Sequence, residues 1–345
     1  MKACIVGAGA LGGFVGARLA LAGLEPTLID RDRQLTALQS EGVRLIGQDG
    51  VLQTSRAFRA TSSFEEAGQH DLVILAVKAY DLPNVAPFLS SLFSDDTIVL
   101  PMQNGIPWWY FEGHGGRHDG ARLHSIDPDG LMQHEVAGRR TLGCVAYPAA
   151  SLEAPGTVRH VEGDRFAIGE LDGTVTDRLE SVCRVFEAAG LRARAITDIR
   201  AEIWLKALGS VSFNPISALT GATMAGICHQ PETRALVRRM MEETQAVAGK
   251  LGVTIRKTID DRIAGAEAVG EHRTSMLQDF EAGRPLETGA LIGSVIELGR
   301  LTATPTPSID AVHACLQLLL EVGRRAVAPQ RAFEELLAGI GRDRT

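Results

Sequence analysis

Before about Asp198 the chain is built from short apolar runs separated by glycine, aspartate and proline; after it, apolar residues recur at helical spacing. Lys2 to Val6 is long enough for one buried strand and empties into Gly7-Ala8-Gly9-Ala10-Leu11-Gly12, after which Phe14 to Gly23 is apolar and helical in period. Pro26 to Ile29 reads as a second strand ending at Asp30-Arg31, which completes a β-α-β unit. Val43 to Ile46 and Val51-Leu52 flank Asp49-Gly50, a hairpin signal. Asp71 to Val77 and Thr97 to Leu100 are further runs of the kind found in parallel strands. From Leu142 to Leu171 strand-length segments are punctuated by Gly156 and Gly163; Val175 to Ala189 predicts an amphipathic helix and Leu191 to Ile196 a last strand.

Beyond that point strand signals nearly vanish. Ile203, Leu205, Leu208 and Val211, then Leu236, Met240 and Met241, then Leu291, Ile292, Val295, Ile296 and Leu298, then Ala311 to Val322 keep a helical period. Thr302 to Pro307 is a helix-breaking connector. The pattern predicts an α/β Rossmann-type N-terminal domain over residues 1–197, an all-α domain over 198–330 and a C-terminal tail over 331–345.

A length of 345 residues with 45% hydrophobic and 22% charged residues allows two sizeable cores. Net charge −7, with mixed signs and no basic block, argues against nucleic acid as a partner. Five scattered cysteines without a CxxC pair indicate neither a disulfide framework nor a metal site, which fits a reducing cytoplasm. No leader pattern or run of about 18 apolar residues is present, so neither export nor a membrane span is expected.

The glycine loop carries the first chemical signal. Gly7 permits the turn out of the strand, Gly9 lets backbone amides approach a pyrophosphate, and Gly12 lets the helix lie against the sheet. The phosphates would rest on the helix N-terminus, near Ala8, Ala10 and Leu11. Asp30 stands where an acid binds the ribose hydroxyls of NAD, while Arg31 beside it suits the 2′-phosphate of NADP; the pair is ambiguous. Lys78 follows a strand and is either a phosphate ligand or a solvated surface lysine. Asn104, before Gly105, is either a turn residue or a carboxamide beside a nicotinamide.

Lys206, Ser210 and Asn214 fall at i, i+4 and i+8, on one helix face. Pro215 should kink or end that helix. Solvent exposure is the plain explanation for such a face, and a functional site the sharper one. Downstream, Thr274 to Asp279 and Glu281 to Glu287 form a loop-to-helix segment, with Glu287 entering the next helix.

The glycine loop, VKAYDL with Lys78, MQNGI with Asn104, WLKALGSVSFNPISAL with Lys206 and Asn214, and SMLQDFEAGRPLE with Ser275 and Glu287 occur in that order. Through these motifs the chain resembles the ketopantoate reductase family (2-dehydropantoate 2-reductases), from its first residue to about 325. The resemblance implies a Rossmann domain, a helical domain and an active-site cleft between them. It implies Lys206 as the general acid that protonates the keto oxygen of a 2-oxo acid as hydride arrives from the nicotinamide, and Glu287 as the acid that contacts the substrate hydroxyl. Ser275 would bind the substrate carboxylate, Asn104 and Asn214 substrate or nicotinamide, and Arg31 with Lys78 the adenosine phosphate end of NADPH.

This chain departs from the family in places. Ser210 stands where the family usually has asparagine four residues after the lysine, still beside the substrate, and Gly289 replaces an acid. Trp108 to Phe111 add an aromatic segment that is either a wall for a bulkier substrate, an interface or a core plug. Reduction of 2-dehydropantoate to pantoate with NADPH, in pantothenate biosynthesis, is therefore expected. The rivals are a sibling 2-hydroxy-acid dehydrogenase with NAD and a bulkier substrate, or a non-catalytic dinucleotide sensor. A homodimer through the helical domain is compatible with the sequence.

Overall fold

A computed structural model describes residues 1–323, so the expected tail at 331–345 and the last residues of the expected helical domain lie outside it. The chain forms two compact units, one of Met1–Lys206, Val253–Ile255 and Gly289–Glu297, the other of Ala207–Gly252, Arg256–Thr288 and Leu298 onward.

The first unit is α/β. Its five-stranded sheet runs Arg59–Thr61, Thr27–Ile29, Ala3–Val6, His70–Leu75 and Phe93–Pro101, with every pairing parallel. Ala3, Cys4, Ile5 and Val6 are all buried, as a central strand covered on both faces requires. Ala10–Leu21 follows the first strand as a helix, and its Phe14, Val15 and Leu19 enter the core with Ile5, Leu28 and Ile74. This is the Rossmann-type arrangement, and the site-bearing loops leave the carboxyl ends of its strands.

The predicted hairpin is present: Val43–Ile46 pairs antiparallel with Leu52–Ser55. The β-rich stretch after Leu142 is shared between two sheets, a division its strand pattern did not reveal. Thr157–Glu162 joins Val43–Ile46 in parallel, with Ala149–Ala154 on its other side. Arg165–Glu170 lies between Leu142–Ala146 and Arg192–Ala195. The chain changes sheets at Gly163, and pairing between segments more than a hundred residues apart decides the split.

Among its described residues the second unit contains helices and no strand. Helix Ile199–Thr220 begins in the first unit and continues into the second. Of the two effects expected of Pro215, a kink or an end, the structure rules out the end. Pro215, Ile216, Ser217 and Ala218 are buried, and that packing outweighs the one backbone bond the proline removes. Gly289–Gly293 forms a π-helical turn before helix Ser294–Leu301, where the periodicity predicted plain α-helix.

His70 is a buried core group. Its Nδ1 lies 2.8 Å from the Gly68 carbonyl and its Nε2 3.0 Å from the Thr27 hydroxyl, the pattern of a neutral ring that donates through Nδ1. Burial lowers its pKa below the ordinary 6.5. Because the unfolded chain binds this proton more readily than the folded one, stability is expected to fall as pH drops below about 6.5. Unfolding midpoints measured between pH 8 and pH 5 should show that slope, and His70→Gln should flatten it.

Candidate active site

The glycine loop sits as its spacing predicts. Gly7 has φ +94°, in the left-handed region, while a Cβ on Gly12 would lie 1.9 Å from the Gly7 carbonyl oxygen and one on Gly9 would meet nothing within 4 Å. The first and third glycines are thus demanded by the protein's own packing, and the second leaves open space. Gly9 caps helix Ala10–Leu21 without a side-chain bond, and the first turn carries no acid. Such an end presents amide hydrogens and a positive dipole to an anion, which fits a dinucleotide pyrophosphate.

The segment after the second strand holds this loop. Asp30 accepts from the Ala8 amide at 2.6 Å and, through its other oxygen, from the Arg31 amide at 2.8 Å. Burial raises the Asp30 pKa, and the two backbone bonds oppose that rise. Gln34, which the sequence reading passed over, donates to the Ala8 carbonyl at 2.5 Å and accepts from the Gly156 amide at 2.9 Å. Both polar atoms of the Ala8 peptide are therefore held by side chains. Arg31 is 80% exposed and lies 3.8 Å from the Asp32 carboxylate. Lys78 is half-buried, at the N-terminal end of the short turn Ala79–Asp81 beyond the fourth parallel strand.

Asn104 and Lys206, 102 positions apart, meet. The Lys206 ammonium donates to Asn104 Oδ1 at 2.6 Å and to the Ala146 carbonyl at 2.5 Å. Gly105, at φ +88°, follows Asn104, and a Cβ there would sit 2.2 Å from the Ala290 carbonyl oxygen. That oxygen accepts from the Ile106 amide at 3.0 Å, which pins the loop carrying Asn104 to the π-helical turn. Asn104 is thus more than a turn residue: its side chain grips the lysine.

Around Lys206 lie groups the sequence did not single out. The Tyr147 ring is 5.7 Å from its ammonium and 4.0 Å from the Arg165 guanidinium. The Tyr147 hydroxyl donates to Glu202 Oε1 at 2.7 Å, and Arg165 pairs with the same oxygen. Glu202 precedes Lys206 by four residues, a spacing that could have flagged it.

Ser210, Asn214, Ser275 and Glu287 belong to the second unit. Ser210 and Asn214 are half-buried, and the Ser210 hydroxyl lies 3.4 Å from the Ala207 carbonyl. Ser275 is exposed at the first position of helix Ser275–Glu281, whose cap is Thr274. Glu287 is buried, just before the helical segment that starts at Thr288.

The aromatic segment is a core plug. Trp108, Trp109, Tyr110 and Phe111 are each at most 3% exposed. Tyr110 accepts from the Trp204 indole at 2.7 Å, and Arg200 donates to the Tyr110 and Glu112 carbonyls at 2.9 and 2.7 Å.

Comparison with known proteins finds relatives over most of the chain. The family described as "Ketopantoate reductase PanE/ApbA" matches residues 3–111, and "Ketopantoate reductase PanE/ApbA C terminal" matches residues 198–320. A 2-dehydropantoate 2-reductase of Mesorhizobium japonicum is 48% identical over 92% of this chain and 98% of its own length. One from Archaeoglobus fulgidus is 31% identical over 86% of this chain and 90% of its own. A crystal structure from Ralstonia solanacearum MolK2, assigned as a ketopantoate reductase, superposes with a TM-score of 0.89 at 39% identity, covering 93% of this chain and 98% of that one.

The contact at Gly12 yields a direct test. In Gly12→Ala the new methyl group must push the helix from the Gly7 carbonyl, so a loss of about 2 kcal/mol or more is expected in denaturant unfolding. Dinucleotide binding, followed by quenching of protein fluorescence, should weaken at least tenfold, which is about 1.4 kcal/mol.

Proposed function

The chain belongs to the ketopantoate reductase family of nicotinamide-dependent oxidoreductases, and from that premise we propose that it reduces 2-dehydropantoate to pantoate with NADPH. The observation that carries the proposal is the Lys206 ammonium, held 2.6 Å from Asn104 Oδ1 at the carboxyl end of the five-stranded sheet. A non-catalytic sensor has no use for a proton donor fixed in this way.

The dinucleotide, when bound, supplies the hydride that adds to the carbonyl carbon. The residues of the chain then have separate tasks. The amides at the start of helix Ala10–Leu21 receive the pyrophosphate. Lys206 faces the keto oxygen, stabilises the negative charge growing there and transfers its proton, so that a C=O becomes a CH–OH; solvent returns the proton to the amine. The Asn104 and Ala146 oxygens hold the ammonium as a donor, since both can only accept from it. Glu287 is assigned to the substrate hydroxyl, Ser275 to the substrate carboxylate, and Asn214 with Ser210 to substrate contact. These roles rest on motif position. We place the dinucleotide domain at 1–197 and the substrate domain from 198 on the same basis.

Two features support NADPH over NADH. Both Asp30 oxygens are engaged by backbone amides, one of them in the glycine loop itself, which gives this acid a structural task. Arg31 projects into solvent beside it, with Lys78 half-buried beyond the end of strand His70–Leu75, two strands across the sheet. The burial of Trp108 to Phe111 removes the feature that suggested a bulkier substrate.

Lys206→Ala should lower kcat by about 100-fold or more, as expected for loss of a general acid. Retained turnover would defeat the mechanism. Arg31→Ala should raise KM for NADPH well above its effect on KM for NADH, and equal effects would remove Arg31 from the phosphate site. A panel of 2-oxo acids assayed with each cofactor should rank 2-dehydropantoate first.

A further inference from the structure

One acceptor of the Lys206 ammonium is a backbone carbonyl, that of Ala146, and the orientation of that carbonyl depends on the next residue. Ala146 ends strand Leu142–Ala146, and the plane of its carbonyl is shared with the Tyr147 amide. That amide donates to the Arg165 carbonyl at 3.0 Å, which fixes one side of the peptide to the neighbouring strand. The Tyr147 side chain reaches the other way, and its hydroxyl donates to Glu202 at 2.7 Å. Glu202 lies one turn before Lys206 on helix Ile199–Thr220. A closed circuit results: ammonium, Ala146 carbonyl, Tyr147 ring, Glu202 carboxylate, one helical turn, ammonium.

We propose that Tyr147 and Glu202 are positioning residues for Lys206, the phenol tying the strand end that receives the ammonium to the helix turn that carries it. The proposal rests on Lys206 as the proton donor. A lysine side chain has many rotamers to lose, so acceptor oxygens fix its head only if they do not move with respect to the helix. Asn104 lies on a loop pinned to the π-helical turn, whereas Ala146 is referred back to the lysine's own helix through the phenol. Arg165 completes the link by stacking on the Tyr147 ring and pairing with Glu202, which balances the charge of the carboxylate that accepts the phenol's hydrogen bond. Burial and the adjacent carboxylate push the Tyr147 phenol well above its usual range, and the hydroxyl is a donor at every working pH.

The test is steady-state kinetics on the full chain with NADPH and 2-dehydropantoate, alongside thermal midpoints. Tyr147→Phe keeps the ring and deletes only the tether; kcat should fall between about 10- and 100-fold, the range for a small misplacement of a catalytic group. KM for both substrates should change less than about twofold, because binding is not the function removed. Glu202→Ala should match it, and Glu202→Gln should restore most of kcat, since the amide oxygen still accepts the phenolic proton. The double variant Tyr147→Phe/Glu202→Ala should be no worse than the poorer single, as two ends of one link are not additive. Wild-type kcat in Tyr147→Phe, or losses that multiply in the double variant, would overturn the tether. If Tyr147→Phe folds poorly, the comparison of Glu202→Ala with Glu202→Gln decides the same question. Lys206→Ala in the same assay separates the two levels: if it stays active the donor assignment fails, and if it collapses while Tyr147→Phe is normal only the tether fails.

Discussion

A half-buried ammonium between two oxygens at 2.5 and 2.6 Å organises the first unit around it. Taking a charge out of water costs several kcal/mol unless its protons find partners, so the elements that supply those partners must converge. Here they come from different sheets. Asn104 follows the edge strand of the parallel sheet, and Ala146 ends an outer strand of the three-stranded one. The two sheets touch through a parallel bridge from Val99, near the end of its strand, to Thr141, just before strand Leu142–Ala146 begins. Lys206 joins the two chain segments again beyond that bridge.

The glycine loop is stabilised in the same manner, by side chains that satisfy backbone atoms. Asp30 and Gln34 occupy the amide and the carbonyl of Ala8, and Gln34 extends the link to Gly156 in the four-stranded sheet. The loop is thereby shaped in advance of its ligand, which lowers the ordering cost of binding. That Asp30 serves the loop also explains how an acidic residue can stand beside a basic one without fixing the choice of dinucleotide.

What could be read from the sequence was local. The roles of Gly7 and Gly12 follow from sterics within a few residues, and the strands around them from short apolar runs. Lys206 and Asn104 were each identified by motif, but their hydrogen bond spans 102 positions and has no local trace. The Ala146 carbonyl could not be found at all, because every residue has one. Trp108 to Phe111 have the same composition whether they line a pocket or fill a core, and only their burial separates the two. Pro215 illustrates the reverse: its local preference is clear, and the packing of its neighbours overrides it.

The π-helical turn at Gly289–Gly293 acts on what lies beyond it as well as on its own residues. A π turn holds one more residue than the α turn it replaces, so every later side chain is rotated by about 100° from its α-helical heading. Glu297, on the helix that follows, accepts the His124 and Ser125 amides at 2.8 Å each through its carboxylate. The Ala290 oxygen inside the turn is also the landing point for the Ile106 amide. One turn thus sets the heading of the helix after it and carries the anchor of a distant loop, so a change in its winding would reach both at once.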